Sequence, residues 1–222
     1  MTPLADLRRA LAVYVVTSSG LVAGRGHVEV ARAAVEGGAT AIQLRAPELK
    51  TRPDELRRVG AEIAALCRTR GVLFIVNDVV DVAVEIGADG VHLGQGDQAR
   101  GARGLLPPNR VLGVSVETVD QAREAERLGA DYLGVTVFET ATKPEATPSG
   151  LQGLGEIAAA TPLPVVGIGG IDASNARDVL AAGAGGVAVV SAVGAAPDPV
   201  EATRELVRVV SGYLREHNSA SK

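Results

Sequence analysis

The stretch from Gly129 to Val137 reads GADYLGVTV, a Gly-Ala pair followed by a short apolar run on consecutive positions. Gly-Ala pairs also stand just before apolar runs at Gly38, Gly87 and Gly183. A glycine at the end of a helix supplies the left-handed conformation that stops the helix. The pattern therefore predicts one recurring structural unit, which consists of a helix, a glycine stop, a short turn and a strand.

Strand candidates recur along the whole chain, and most are apolar on consecutive positions. They are Val13–Thr17, Ala41–Arg45, Val72–Asn77, Gly90–Leu93, Val111–Val116, Tyr132–Val137, Pro164–Gly167 and Gly186–Ser191. Such runs are typical of parallel strands that are covered on both faces or closed into a barrel. Charged stretches with helical periodicity, such as Asp54–Thr69, separate them.

Eight strand–helix units in 222 residues predict an α/β protein with a single (β/α)8 TIM barrel. We expect one domain over residues 1–222, with a frayed tail at 218–222. An open doubly wound sheet is the alternative, but it ordinarily has fewer strands.

The composition narrows the classes of partner. The net charge of −4 and an aromatic content of 2% argue against binding of nucleic acid. One cysteine excludes an internal disulfide framework, and Met1–Leu11 hold no apolar run long enough for a signal peptide or a membrane span. We therefore expect a cytoplasmic protein without membrane contact, and the sequence leaves a homo-oligomer open.

In a barrel of this kind, functional residues lie on the loops that follow the strands. Alternation along the second strand points Gln43 and Arg45 to one side, where the guanidinium could bind phosphate or pair with a neighbouring carboxylate. Asp78 follows the third strand directly after Asn77, and Asp97 follows the fourth. The two carboxylates could share one Mg²⁺ ion, or each could cap the helix that follows it.

The later strands are followed by further groups suited to anions. Ser115 lies near the end of the fifth strand, either as a hydroxyl at the rim or as a structural serine with its hydrogen bonds satisfied. The loop after the sixth strand contains Thr140, Thr142 and Lys143, which could clamp an anion or be ordinary solvated residues. The seventh strand runs into the glycine-rich stretch Gly167–Ile171, which includes Gly170, and the eighth strand runs into Val190 and Ser191. In such barrels, backbone amides of these two loops form the usual phosphate site, so the glycines predict phosphate binding. The alternative is that glycine stands here only because the loops pack closely.

A few other residues have structural interpretations. We expect His27 and His217 to be solvated, and His92 to be a buried, hydrogen-bonded imidazole. Cys67 lies on an apolar helix stripe, which predicts an inert core thiol. Asp172 is expected to cap a helix over Ala173–Ala182.

Taken in order, these motifs resemble the thiamine-phosphate synthase family, whose members are small (β/α)8 barrels. The matching segments are Gln43–Arg45, Phe74–Asp78, Asp89–Asp97, Gly113–Ser115, Thr140–Lys143, Val166–Ile171 and Val189–Ser191. They occur in family order from the second strand to the eighth.

The resemblance implies a transferase that joins 4-amino-5-hydroxymethyl-2-methylpyrimidine diphosphate to a thiazole phosphate, giving thiamine phosphate and pyrophosphate. It implies small-molecule substrates and a Mg²⁺ cofactor held by Asp78 and Asp97. The pyrimidine diphosphate would contact Gln43, Arg45, Asn77, Ser115 and Lys143, with Arg45 and Lys143 as the catalytic cations. The thiazole phosphate would contact Thr140, Thr142, Gly170, Val190 and Ser191.

The chain departs from the family pattern in a few places. Pro47 stands where the family usually has a lysine, and Lys50 is the nearest amine. The segment before Thr140 is one residue shorter than usual, and Val137–Thr140 is also similar to the related thiazole tautomerases, with Thr136 near the position of their histidine. The alternatives are therefore a thiazole tautomerase and a non-catalytic paralogue that binds a phosphate ligand.

Overall fold

Eight parallel strands close into a barrel in the computed structural model, which describes residues 4–22, 24–94, 99–142 and 146–218. The strands are β1 (Val13–Thr17), β2 (Ala41–Leu44), β3 (Leu73–Asn77), β4 (Gly90–Leu93), β5 (Val111–Val116), β6 (Tyr132–Thr136), β7 (Val165–Ile168) and β8 (Gly186–Val189). Each strand pairs with its neighbour in the sequence, and β1 also pairs with β8. The barrel prediction is confirmed, and the open sheet is wrong.

Helices lie between the strands in the described part of the chain. They are α1 (Leu4–Ala10), α2 (His27–Gly37), α3 (Pro53–Arg70), α4 (Val80–Glu85), α5 (Ala102–Leu105), α6 (Val119–Arg127), α7 (Gly150–Ala159), α8 (Ala176–Ala181), α9 (Ser191–Gly194) and α10 (Pro199–Asn218), with a 3-10 turn at Pro47–Leu49. The tail predicted at 218–222 lies almost wholly outside the described residues, so it stays a prediction.

The glycine stops have the backbone conformation that the repeated pattern predicts. Gly38, Gly87, Gly129 and Gly183 have φ angles of 97°, 71°, 84° and 111°. Asp172 accepts a hydrogen bond from the Ser174 amide, as expected, and a second one from the Ser174 hydroxyl, but residues 173–175 form a turn and not the first turn of the predicted helix. Helix α8 consequently begins at Ala176.

Two apolar clusters build the core. The larger one lies between the outward faces of the strands and the helices. It includes Cys67, which is 1% exposed, and burial raises the pKa of this thiol to about 12. The prediction of a core thiol is confirmed.

The smaller cluster fills the inside of the barrel at the amino-terminal ends of the strands. Leu7 and Leu11 from α1 and the residue after it close this end, and they pack with Ala41, Ile75 and Val111. The inward side chains become polar toward the carboxyl ends of the strands, and the site lies there. No helix in the described residues is both long enough and apolar enough to cross a membrane.

Candidate functional site

A cavity opens at the carboxyl ends of the strands, with a volume of about 880 Å³ that includes the space at its mouth. It brings together every predicted substrate-binding residue that the structure describes. These are Gln43, Arg45, Asn77, Ser115, Thr140, Thr142, Gly170, Val190 and Ser191. Residues from β2, β3, β5 and the loops after β6, β7 and β8 therefore converge on one space.

Two predicted site residues, Lys143 and Asp97, lie outside the described residues. Their roles as a cation for the leaving group and as a metal ligand stay predictions.

Arg45 follows β2, is half-buried and lines the cavity beside Gln43, as strand alternation predicts. It makes no ion pair with any residue in the described ranges, whereas arginines such as Arg103 are paired to carboxylates at the other end of the barrel. The alternative in which a neighbouring carboxylate neutralises Arg45 is therefore not observed among these residues. Its guanidinium is directed to a space where an anion could bind.

The loops after β6 and β7 pack closely, backbone against backbone. Gly169 and Gly170 have φ angles of 90° and 61°, and a Cβ on Gly170 would lie 2.8 Å from Phe138 Cβ. Both positions therefore need glycine. Across this contact, the Oγ1 atoms of Thr140 and Thr142 lie 3.0 Å apart on the cavity wall.

Asp78 lies at the rim, next to the cavity-lining residue Asn77. Its φ angle is 66°, in the left-handed region that residues other than glycine seldom adopt, and its amide donates to His92 O at 2.9 Å. Lys50 Nζ donates to Asp78 Oδ2 at 2.7 Å. Lys50, the amine nearest in sequence to Pro47, thus pairs with Asp78, the predicted metal ligand. The described residues contain no group of three or more His, Cys, Asp or Glu side chains suited to one metal ion.

Sequence reasoning missed the aromatic residues of the site. Tyr14 and Tyr132 both line the cavity floor, with their hydroxyl oxygens 3.0 Å apart. Gln43 Nε2 donates to Tyr14 Oη at 2.7 Å. Burial raises the pKa of both tyrosines, so they keep their hydroxyl hydrogens at neutral pH.

One feature of the sequence could have indicated the position of Tyr132, namely a glycine on the neighbouring strand. Gly113 is paired with Tyr132 in the sheet register, and a Cβ on Gly113 would lie 2.2 Å from Tyr132 Cζ. The glycine of the Gly113–Ser115 motif therefore makes room for the ring. His92 is hydrogen-bonded as predicted, but the prediction that it is buried is wrong, because it is half-buried where it lines the open cavity.

The prediction that His27 is solvated is wrong, since it is 6% exposed. Its Nδ1 lies 2.9 Å from Thr17 Oγ1, and its Nε2 donates to Glu48 Oε1 at 2.7 Å. Partial burial raises the pKa of the Glu48 carboxyl, but hydrogen bonds from Ser19 and His27 outweigh it and hold this pKa below its usual value. The cluster joins the loop after β1 to the loop that follows Arg45.

The chain is similar to known proteins over nearly all of its length. The family model described as thiamine monophosphate synthase matches residues 13–193. The thiamine-phosphate synthase of Moorella thermoacetica is 52% identical over 202 residues, which cover 90% of this chain and 95% of that protein. That of Pyrococcus furiosus is 45% identical over 210 residues, which cover 94% and 99%.

A solved structure agrees with these sequence matches. The thiamine phosphate pyrophosphorylase from Pyrococcus furiosus superposes with a TM-score of 0.86 at 43% identity, covering 94% of this chain and 99% of that one. The barrel, the order of the motifs around its cavity and these matches lead to one conclusion: the chain belongs to the thiamine monophosphate synthase family.

Proposed function

We propose that this protein is a thiamine-phosphate synthase, which joins 4-amino-5-hydroxymethyl-2-methylpyrimidine diphosphate to a thiazole phosphate and releases pyrophosphate. The observation that carries the proposal is the convergence of anion-binding groups from β2 to β8 on one cavity. The 52% identity to a thiamine-phosphate synthase supports the same reaction.

The chemistry needs little from the protein besides charge neutralisation. The bond between the pyrimidine methylene carbon and the diphosphate oxygen breaks, and its electron pair leaves with the pyrophosphate. The thiazole nitrogen then forms the new bond with its lone pair, so no general base is required. The electron-rich pyrimidine stabilises positive charge on the methylene carbon, and the protein has to stabilise the negative charge on the leaving oxygens.

Arg45 is the described residue best placed for that task. It is half-buried, it lines the cavity, and it has no carboxylate partner among the described residues. Removing one preorganised contact of this kind costs about 3–4 kcal/mol of barrier. Lys143 would supply a second cation. Gln43, Asn77 and Ser115, which line the same wall, would hold the pyrimidine diphosphate.

The thiazole phosphate would bind between the loops after β6, β7 and β8. Thr140 and Thr142 present hydroxyls there, and the glycine at 170 lets the backbone approach a phosphate oxygen closely. Val190 and Ser191, where β8 gives way to α9, complete that side of the cavity.

The residues present also fit a magnesium ion. Mg²⁺ in phosphoryl sites is held by one or two carboxylates together with water and substrate phosphate oxygens. Asp78, half-buried at the rim with its carboxylate balanced by Lys50, would be one such ligand, and Asp97 would be the second. When bound, Mg²⁺ would neutralise charge on the pyrophosphate group.

The test is formation of thiamine phosphate from the two purified precursors, with and without Mg²⁺. We expect product only with Mg²⁺. Arg45→Ala should lower the rate by about 100- to 1000-fold. Arg123→Ala, which removes an exposed arginine of α6 that pairs with Asp120, should leave the rate unchanged. A folded protein that forms no product at any Mg²⁺ concentration would contradict the proposal.

The two alternatives are not favoured. Thr136 lines the cavity near the position that the tautomerase histidine would take, and the curated relatives at high identity are thiamine-phosphate synthases. A tautomerase would turn over the thiazole precursor alone without metal, and a binding paralogue would bind thiamine phosphate without any turnover.

We also propose a cytoplasmic location for this protein, which its single, buried cysteine supports.

A further inference from the structure

A chain of hydrogen bonds crosses the floor of the cavity and ends at Ser115. Gln43 Nε2 donates to Tyr14 Oη at 2.7 Å, and Tyr14 Oη lies 3.0 Å from Tyr132 Oη. Tyr132 Oη lies 2.9 Å from His92 Nδ1, and His92 Nε2 lies 3.0 Å from Ser115 Oγ. Its members come from β1, β2, β4, β5 and β6, so the chain exists only because the barrel closes.

The end at Gln43 sets the direction of the chain. Tyr14 accepts the amide hydrogen, so its own hydrogen is available for Tyr132. Tyr132 then donates to His92 Nδ1, which makes Nδ1 the bare nitrogen of the ring. The reverse direction would give Tyr14 two donors and leave its own hydroxyl hydrogen buried without an acceptor in this hydrogen-bonded series, which is unfavourable.

With Nδ1 accepting from Tyr132, the ring carries hydrogen on Nε2 and donates it to Ser115 Oγ. His92 is the one hydrogen-bond partner of this hydroxyl within the described residues. With its lone pair engaged by His92, Ser115 keeps its own hydrogen for an acceptor in the cavity that it lines.

We propose that Tyr132 is a positioning residue that acts through His92, fixing the imidazole tautomer with hydrogen on Nε2 so that the Ser115 hydroxyl donates into the cavity. Its acceptor there would be an oxygen of the pyrimidine diphosphate, which is the part of the inference that rests on the proposed function. The reverse tautomer would turn the Ser115 hydrogen toward His92 and present lone pairs to the anion.

Nitrogen NMR of the ligand-free protein tests the direction without any activity measurement. Long-range ¹H–¹⁵N correlation distinguishes the bare ring nitrogen from the protonated one, and the chain has only three histidines. His27→Gln and His217→Gln variants assign the remaining signals to His92. We expect hydrogen on Nε2 of His92, and hydrogen on Nδ1 would overturn the proposal even if the protein proves to be an active synthase.

Two matched variants separate positioning from a merely structural role. Tyr132→Phe removes the donor to His92 Nδ1, so we expect the His92 signals to move toward the other tautomer. In the synthase assay kcat should fall by about 10-fold, with a smaller change in KM. Tyr14→Phe also removes one buried hydroxyl from the barrel but leaves Tyr132 as the donor, so the His92 tautomer should not change.

Two outcomes in the spectra of these variants would contradict the proposal. Equal shifts of the His92 signals in Tyr132→Phe and Tyr14→Phe would show a general loosening of the barrel floor. An unchanged His92 spectrum in Tyr132→Phe would show that Tyr132 does not set the tautomer.

Discussion

Adding one methyl group at Gly113 should destabilise the barrel from within. Gly113 lies on β5 beside Tyr132 of β6, and the Cβ of an alanine would lie 2.2 Å from Cζ, 2.3 Å from Cε1 and 2.5 Å from Oη of Tyr132. Carbon atoms pack best at about 3.5–4.0 Å, so the ring would have to retreat by about 1.3 Å or more. Tyr132 is 0% exposed and hydrogen-bonded to Tyr14 and His92, which leaves it little room to move.

Two effects of the substitution lower the free energy of unfolding, and one effect raises it. Overpacking a core by one methyl group costs about 1–3 kcal/mol, and loss of one hydrogen bond of the tyrosine hydroxyl costs about 1 kcal/mol. The lower chain entropy of unfolded alanine returns about 0.4–1 kcal/mol. We therefore expect Gly113→Ala to lower the free energy of unfolding by about 1–4 kcal/mol.

Urea denaturation followed by circular dichroism measures this change. Gly212→Ala is the matched control, because Gly212 lies in α10 and its Cβ would meet nothing within 4 Å. It should raise the free energy of unfolding by about 0.5–1 kcal/mol, since alanine is the better helix former. In a Tyr132→Leu background, the cost of Gly113→Ala should fall below about 1 kcal/mol because the clashing ring is gone.

The explanation would be refuted if the free energy of unfolding of Gly113→Ala lies within about 0.5 kcal/mol of that of the unmodified protein, which is the range of ordinary surface substitutions. It would also be refuted if the cost stays the same in the Tyr132→Leu background, because the penalty would then not come from the ring.

Three further predictions concern single side chains. Cys67, whose pKa is raised to about 12 by burial, should resist an aromatic disulfide reagent at about pH 8 in the folded protein and react at once in urea, and fast labelling of the folded protein would contradict this. The Glu48 pKa is lowered in the folded state, so its contribution to stability is present above the unfolded pKa and is lost as pH falls through the folded pKa. The Tm difference between the unmodified protein and Glu48→Gln should therefore be largest above about pH 5 and shrink below about pH 4, and a pH-independent difference would oppose this account. Lys50→Ala removes the cation that pairs with Asp78 and should tighten Mg²⁺ binding by up to about five-fold in calorimetry, whereas weaker binding would indicate that Lys50 helps to build the metal site.

Most of the barrel could be predicted from the sequence, because its signals are local. The apolar runs at Val13–Thr17, Gly90–Leu93 and Val111–Val116 coincide with β1, β4 and β5 to the residue, and the other strands differ by one or two residues at one or both ends. Consecutive β-branched residues favour buried strands wherever they stand. The helix after Asp172 begins later than the sequence predicts, at Ala176, because residues 173–175 form a turn around the Asp172 carboxylate.

The convergence of polar groups at one end was also predictable, since all parallel strands of a barrel bring their carboxyl ends to the same face. Gln43 and Arg45 lie side by side on the cavity wall for this reason. Their alternation in the second strand already placed both on one side.

The tertiary structure alone decided the partners of the buried polar residues. His27 is buried because Glu48, far from it in sequence, comes within 2.7 Å when the loops after β1 and β2 meet. Tyr132 joins Tyr14 and His92 because closure of the sheet brings β1, β4 and β6 to one axis. Periodicity in the sequence states which face of a strand a residue takes, whereas the contact across a barrel depends on closure and stagger, and no local pattern contains these.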